Sequence, residues 1–211
     1  MRLEDIPHEY FRRQDESSDF GFYQSPRLVA HIDDAAIAAL GAFIRPRVHN
    51  DADVLDLMSA YLTHLPPDVR ARCRRVAGLG MNDAEMAANA QLTDHVVHSL
   101  NDDPALPYAD EPFDVALCTV SVQYLLHPIA VFAEVRRILR PGGQFLVSFS
   151  NRCFPTKATQ LWLGTDDAQH VALVRLYFEQ SEGWEPIETF DISPHPGRSD
   201  PLYLVTGRRS K

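Results

Sequence analysis

Apolar positions along this chain alternate between helical and extended spacing. Ile37, Leu40 and Ile44 recur three or four residues apart, on one face of a helix introduced by His31-Ile32-Asp33-Asp34 and ended by Pro46. An aspartate there accepts hydrogen bonds from first-turn amides that have no partner within the helix. Residues 53–57 (Asp-Val-Leu-Asp-Leu) then predict a short, buried first strand, and residues 75–79 a second. Asn82 caps a short helix through Asn89, and 95–98 and 113–120 supply the third and fourth strands. Pro128 suits a first helical turn, and Ile129, Phe132, Val135 and Leu139 form the inward face of that helix, with Arg136, Arg137 and Arg140 in water. Pro141-Gly142-Gly143 stops it and leads into a fifth strand, 144–149. One more helix buries Val171, Val174 and Phe178 and closes at Gly183, and strands around 186–192 and 202–207 follow without a helix between them. This order predicts an α/β, doubly wound, mostly parallel seven-stranded sheet with helices on both faces and one antiparallel strand at its end. Residues 31–211 read as one domain; residues 1–30 read as an arm, loosely held over its first twenty residues, whose segment 20–27 closes over the strand ends as a lid.

Composition narrows the function classes. With 45% hydrophobic and 23% charged residues, the 211-residue chain can bury one core and is not a disordered segment. It has no run of about 18 apolar residues, so no membrane span is expected. Residues 1–19 are polar and charged, without the apolar stretch of a secretory leader. Cys73, Cys118 and Cys153 lack paired spacing, which suggests reduced thiols and a cytoplasmic setting. A formal charge of −9 opposes approach to nucleic acid or an anionic membrane, leaving a small molecule as the expected partner.

Two segments carry a family resemblance. Residues 106–115 (Leu-Pro-Tyr-Ala-Asp-Glu-Pro-Phe-Asp-Val) resemble the LPF-x-D-x-x-FD signature before the fourth strand of class I S-adenosylmethionine (SAM)-dependent methyltransferases, of the type 11-like group. Residues 134–143 (Glu-Val-Arg-Arg-Ile-Leu-Arg-Pro-Gly-Gly) resemble their E-x-x-R-V-L-K-P-G-G segment, and the similarity runs from about Asp53 to Arg209. The resemblance implies a Rossmann-like fold, SAM as cofactor and methyl transfer to a small molecule. Neither segment performs chemistry: a helix ending in Pro-Gly-Gly is first a chain reversal.

The cofactor loop departs from the family. Its D-x-G-x-G-x-G turn lets the backbone approach the methionine part of SAM, but here residues 56–66 place Met58, Ala60 and Leu62 at the three glycine positions. Gly80 stands where an acid normally ends the second strand and accepts the ribose hydroxyls, and Ser99, followed by Leu100-Asn101, stands where an acid often lies near the adenine. Asn82, Asp83 or Glu85 are the possible substitutes for the ribose acid, and Ser59, Tyr61 and Thr63 can contribute side-chain contacts in place of backbone ones. The same departures motivate an alternative, a methyltransferase-fold binding or regulatory protein whose SAM binding is lost or altered. A nucleotide-dependent oxidoreductase is disfavoured, since no G-x-G-x-x-G follows any strand.

In open α/β sheets, ligands bind at the carboxyl ends of the strands. Candidate cofactor residues there are Asp56, Ser59, Tyr61, Gly80, Met81, Asn82, Leu100, Asn101 and Ser121. Tyr124, after the fourth strand, can orient a nucleophile or simply fill the core; His64 and His31 are candidate general bases, against the ordinary reading of a structural histidine. Tyr23, Arg27, Asn151, Arg152 and Lys157 are the candidate substrate contacts, with Arg152 offering a bidentate fork or else a surface ion pair. Cys153 has no partner base and is not read as a nucleophile. No metal site is expected: His95 and His98, three apart on a strand, face opposite sides.

Overall fold

The computed structural model describes residues 6–211, in which the apolar runs become β1 (Asp53–Ser59), β2 (Arg75–Gly80), β3 (Asp94–Val97), β4 (Phe113–Thr119), β5 (Leu139–Phe149), β6 (Trp184–Asp191) and β7 (Tyr203–Arg209). They form one sheet in the order β3-β2-β1-β4-β5-β7-β6. The first five strands pair in parallel, and β7 runs antiparallel to both of its neighbours. The antiparallel strand therefore lies inside the sheet, and not at its end as expected. Burial explains the swap: Leu204 and Val205 of β7 are shut off from solvent, whereas β6 is largely exposed and suits an edge.

Helices cover both faces: α1 (Asp19–Tyr23), α2 (Asp34–Ile44), α3 (Pro67–Arg72), α4 (Asp83–Ala88), α5 (Pro128–Ile138), α6 (Gln160–Leu163) and α7 (Asp167–Ser181). Successive strand residues feed opposite cores, as the two-residue period demands. Val54 and Val76 join Leu40 and Ile44 of α2 on one face, and Leu55 and Leu57 join Phe132, Phe145 and Phe178 on the other.

Three local expectations change. First, α5 ends at Ile138 and buries Val131, Phe132, Val135 and Ile138, while Ile129 is half-buried and Leu139 already begins β5. Arg140 is paired with Asp53 and Asp114, and Pro141-Gly142-Gly143 lies inside β5 with Gly142 left-handed at φ 82°. Second, β3 starts at Asp94, which a two-pronged Arg75 pair ties to β2. Third, the arm is not loosely held over its described part. Arg13 forms a backbone bridge with Thr159, and its Nη1 donates to both carboxylate oxygens of Asp19 at 2.7 and 3.0 Å. The fully buried Lys157 donates to the Ser17 carbonyl at 2.6 Å and sits 3.2 Å from Asp15 and 3.3 Å from Asp19. The first five residues of the expected arm lie outside the described residues.

Candidate functional site

β1 ends on a bulge. Pairing runs Leu57↔Leu79 and then Ser59↔Gly80, so Met58 is the extra residue, and it takes the left-handed conformation at φ 58°. That is a conformation glycine adopts cheaply, held here by a side chain at the first of the three glycine positions. The bulge presses Ser59 onto β2: a Cβ at Gly80 would lie 2.1 Å from the Ser59 carbonyl oxygen. No side chain fits there, so the acid usually expected at this point is sterically excluded. His64 (φ 61°) and Val120 (φ 46°) are also left-handed, and all three line the same cavity. Such strain costs about 1–3 kcal/mol each and gathers at ligand sites.

The cavity, about 390 Å³, opens where β1, β2, β4 and β5 end, and the arm walls its far side. This is within the usual size range of small-molecule sites. Asp56 and Ser59 form its floor. The Ser59 hydroxyl donates to Asp56 at 2.6 Å, and burial without a cationic partner pushes the Asp56 carboxyl up to about 7. His64 is buried, its Nδ1 has no hydrogen-bond partner among the described residues, and burial holds it down at about 4, so the ring is neutral at ordinary pH. His31, half-buried across the cavity, is also lowered by burial.

Gly80, Met81, Leu100 and Ser121 line the cavity, as do Tyr23, Arg27, Tyr124 and Asn151. Asn82 and Asn101 line it too, but as clasps. Asn82 Nδ2 donates to the Tyr23 and Gln24 carbonyls while its oxygen caps α4; Asn101 Nδ2 donates to Asp19 and the Tyr124 carbonyl while its oxygen accepts from Leu126. Neither amide keeps a hydrogen for a ligand. The Tyr124 oxygen accepts from the Phe154 amide at 2.8 Å, and burial raises its hydroxyl to about 12, so this phenol stays protonated and can still donate.

Two expected site residues lie elsewhere. Tyr61 is half-buried and does not line the cavity, because the chain after the bulge turns Ala60, Leu62 and His64 inward and leaves it out. Lys157 is consumed by the arm, as described above. Arg152 does reach the cavity rim, but its side chain is 64% exposed and its nearest acid is Asp200 at 3.7 Å. This is the surface ion pair that stood as the alternative to a bidentate fork.

Glu85 is the acid that the sequence left as one option among three. It is 5% exposed, lines the cavity from α4, and accepts the Arg27 backbone amide at 2.6 Å. Asp83 points outward to His95 at 2.9 Å, while His98 bonds the Asp103 carbonyl; the two histidines share no ligand. Among the described residues, no three His, Cys, Asp or Glu side chains come together to hold a metal, and no helix is long and apolar enough to cross a membrane. Burial raises the Cys153 thiol, which keeps it in its unreactive form. Phe154, in the segment 150–157 expected at the strand ends, lines the cavity too, and so do Asp19 and Val120, which were not singled out for it. An acid in a polar arm carries no periodic signal, and a left-handed valine none at all.

Comparison with known proteins fits this geometry. A family model described as a methyltransferase domain matches residues 58–147, from the bulge through most of β5. A malonyl-acyl-carrier-protein O-methyltransferase of Marinomonas is 27% identical over 127 residues, covering 58% of this chain and 47% of its own. A ubiquinone/menaquinone biosynthesis C-methyltransferase of Roseobacter denitrificans is 31% identical over 105 residues, covering 50% and 35%. The chain thus spans less than half the length of these curated relatives. Among solved structures, a SAM-dependent methyltransferase from Mesorhizobium loti superposes with a TM-score of 0.57 at 18% identity, covering 83% of this chain and 98% of that one. The [4+2]-cyclase SpnF gives 0.56 at 16%, covering 81% and 80%. Strand order and structural likeness show the fold of class I SAM-dependent methyltransferases, and the methyltransferase-domain model, which matches less than half of the chain, supports membership of that superfamily.

Proposed function

We propose that this protein transfers a methyl group from SAM to a small molecule held in the cavity at the strand ends. The observation that carries this reading is Glu85. It is a buried carboxylate facing the cavity with one backbone donor among the described residues, and a carboxylate has about four acceptor sites. It stands five residues past the excluded position at Gly80, where it can accept ribose hydroxyls. Asp56 and Ser59 would sit under the methionine part, and Met81 and Leu100 beside the adenine. Bound SAM supplies an electrophilic methyl on a sulfonium.

The chain's own contribution is placement. Tyr23 and Tyr124 close the acceptor side and exclude water, and orientation alone can supply roughly 7–11 kcal/mol of the barrier reduction. His64, neutral and with Nδ1 unpaired among the described residues, can accept a hydrogen bond from the methyl-accepting group, although burial leaves it a weak base. The named activities of the two relatives put the methyl on oxygen in one and on carbon in the other, so neither acceptor is carried over to this chain. The net charge of −9 disfavours nucleic acid as a partner, and the scattered thiols Cys73, Cys118 and Cys153 suit a cytoplasmic setting.

A second reading, a binding protein without methyl transfer, draws on Asn82 and Asn101, whose amides are spent on the arm and the loops. Calorimetry of the full chain with SAM and with S-adenosylhomocysteine decides between them. Both ligands should bind, and Glu85→Gln should weaken each by about tenfold or more, the scale of one charge-assisted hydrogen bond. A folded protein that takes up neither ligand at millimolar concentration overturns the enzyme reading. Binding without turnover of any offered acceptor favours the second.

A further inference from the structure

Arg27 is the cavity's under-used cation. Its base is fixed, because its backbone amide is bonded to Glu85. Its guanidinium is held among three rings, with Cζ 4.7 Å over Phe22, 5.9 Å over Tyr23 and 5.3 Å over Phe154. Among the described residues, one side-chain hydrogen bond leaves it, from Nη2 to the Phe22 carbonyl at 3.1 Å. Nη1 is closed off from water and has no acceptor among the described residues. A guanidinium has five N–H donors, and ring faces satisfy them only weakly. Arg13, in the same arm, is by contrast paired with an acid, its Nη1 donating to both carboxylate oxygens of Asp19.

The surrounding acids do not meet this need. Asp19 is occupied by Arg13 and Lys157, Asp56 by Ser59, and Glu85 receives Arg27's backbone and not its side chain. Arg152, the other cation on the cavity wall, is mostly exposed and leans on Asp200. The three rings, with Phe22 set edge-on to Tyr23 and to Phe154, surround the Arg27 guanidinium and restrict where it can point, which preorganises it for an anion. We propose that Arg27 is a carboxylate receptor, and that a ligand of this cavity presents a carboxylate to its guanidinium. The inference builds on the methyl-transfer reading. Two sources share the chemistry: the amino-acid end of the cofactor, and an acceptor that carries a carboxylate.

Calorimetry on the full chain separates them. S-adenosylhomocysteine has the carboxylate, 5′-methylthioadenosine keeps the nucleoside without it, and benzoate is a flat carboxylate probe for the acceptor side. In Arg27→Gln, at least a tenfold loss for S-adenosylhomocysteine with methylthioadenosine unchanged places the cofactor's carboxylate on Arg27. The same loss for benzoate on protein saturated with S-adenosylhomocysteine, whose own affinity is unchanged, places the acceptor's there. Arg27→Lys, which keeps charge but not the fork, should fall between wild type and Arg27→Gln, and a melting curve for each variant verifies folding. Equal affinities for all three ligands in wild type and Arg27→Gln overturn the proposal. If neither nucleoside binds wild type, the methyl-transfer reading has failed, and benzoate on the unliganded protein still decides the question. Uptake by wild type but not by Arg27→Gln supports the receptor, and uptake by neither, or equally by both, overturns it.

Discussion

The Ser59 carbonyl and Gly80 are in such close approach that the left-handed turn at Met58 and the missing acid on β2 are one structural device. The bulge brings the Ser59 oxygen to within 2.1 Å of where a Cβ on residue 80 would stand, with the Met86 sulfur 3.0 Å away on the other side. Restoring the acid by Gly80→Asp should therefore not rescue ribose recognition. It should destabilise the fold by about 2–3 kcal/mol or more, the cost of forcing atoms into a filled site. A denaturant titration reads this directly. Met58→Gly should stay within about 1 kcal/mol of wild type, because relief of left-handed strain offsets lost packing and the added chain entropy of glycine.

Lys157 should prove a stability residue and not a ligand contact. It is buried against Asp15, Asp19 and the Ser17 carbonyl, and removing one partner of a buried ion pair costs about 3–5 kcal/mol. Arg13 still neutralises Asp19 in Lys157→Ala, so the loss should lie at the lower end. Limited proteolysis should then cut within residues 12–31 much faster than in wild type, while affinity for S-adenosylhomocysteine, measured below the new melting point, changes little.

The Asn82 clasp predicts a different arm phenotype. Asn82→Ala removes two bonds to the Tyr23 and Gln24 carbonyls together with the α4 cap, at a cost of about 1–2 kcal/mol. The Arg13 and Lys157 anchors remain, so hydrogen exchange should speed up at residues 23–31 and stay slow at residues 12–19. Uniform acceleration across both segments would show that the arm opens as one unit.

The sheet was legible because burial on both faces writes a strong pattern. Val54, Leu55 and Leu57 are apolar on consecutive or alternating positions because each face has its own core. The helix stop was misplaced by two residues, Leu139 and Arg140, since the pull on Arg140 comes from Asp53 and Asp114, far away in sequence. The site was legible by position and not by role. Strand ends brought Asp56, Gly80, Leu100, Ser121 and Tyr124 to one cavity, as topology requires. Whether an asparagine binds a ligand or clasps a loop depends on carbonyls 23 to 59 residues away, as for Asn82 and Asn101. Arg152 and Lys157 left β5 as equals in sequence. One faces water, and the other lies beneath a segment some 140 residues earlier in the chain.

The cavity floor should give stability a particular pH dependence. Asp56 is raised to about 7 from an ordinary 3.8, so the folded state holds its proton where the unfolded chain has released it. Its stabilising contribution is complete below about pH 4 and is lost as pH rises through about 7. His64 is lowered to about 4 from 6.5, so its contribution is complete above pH 6.5 and is lost as pH falls toward 4. Between pH 4 and 6.5 the two slopes oppose each other, and between 6.5 and 7 Asp56 acts alone. Asp56→Asn keeps an acceptor for the Ser59 hydroxyl and removes one titration. The stability of this variant relative to wild type should therefore climb steadily from pH 4 to pH 7. His64→Gln should show the reverse, gaining relative to wild type as pH falls from 6.5 to 4. Urea titrations at half-unit pH steps measure both differences. A flat Asp56→Asn difference across that window would mean that the buried carboxyl ionises freely, with water or an unseen partner at the cavity floor.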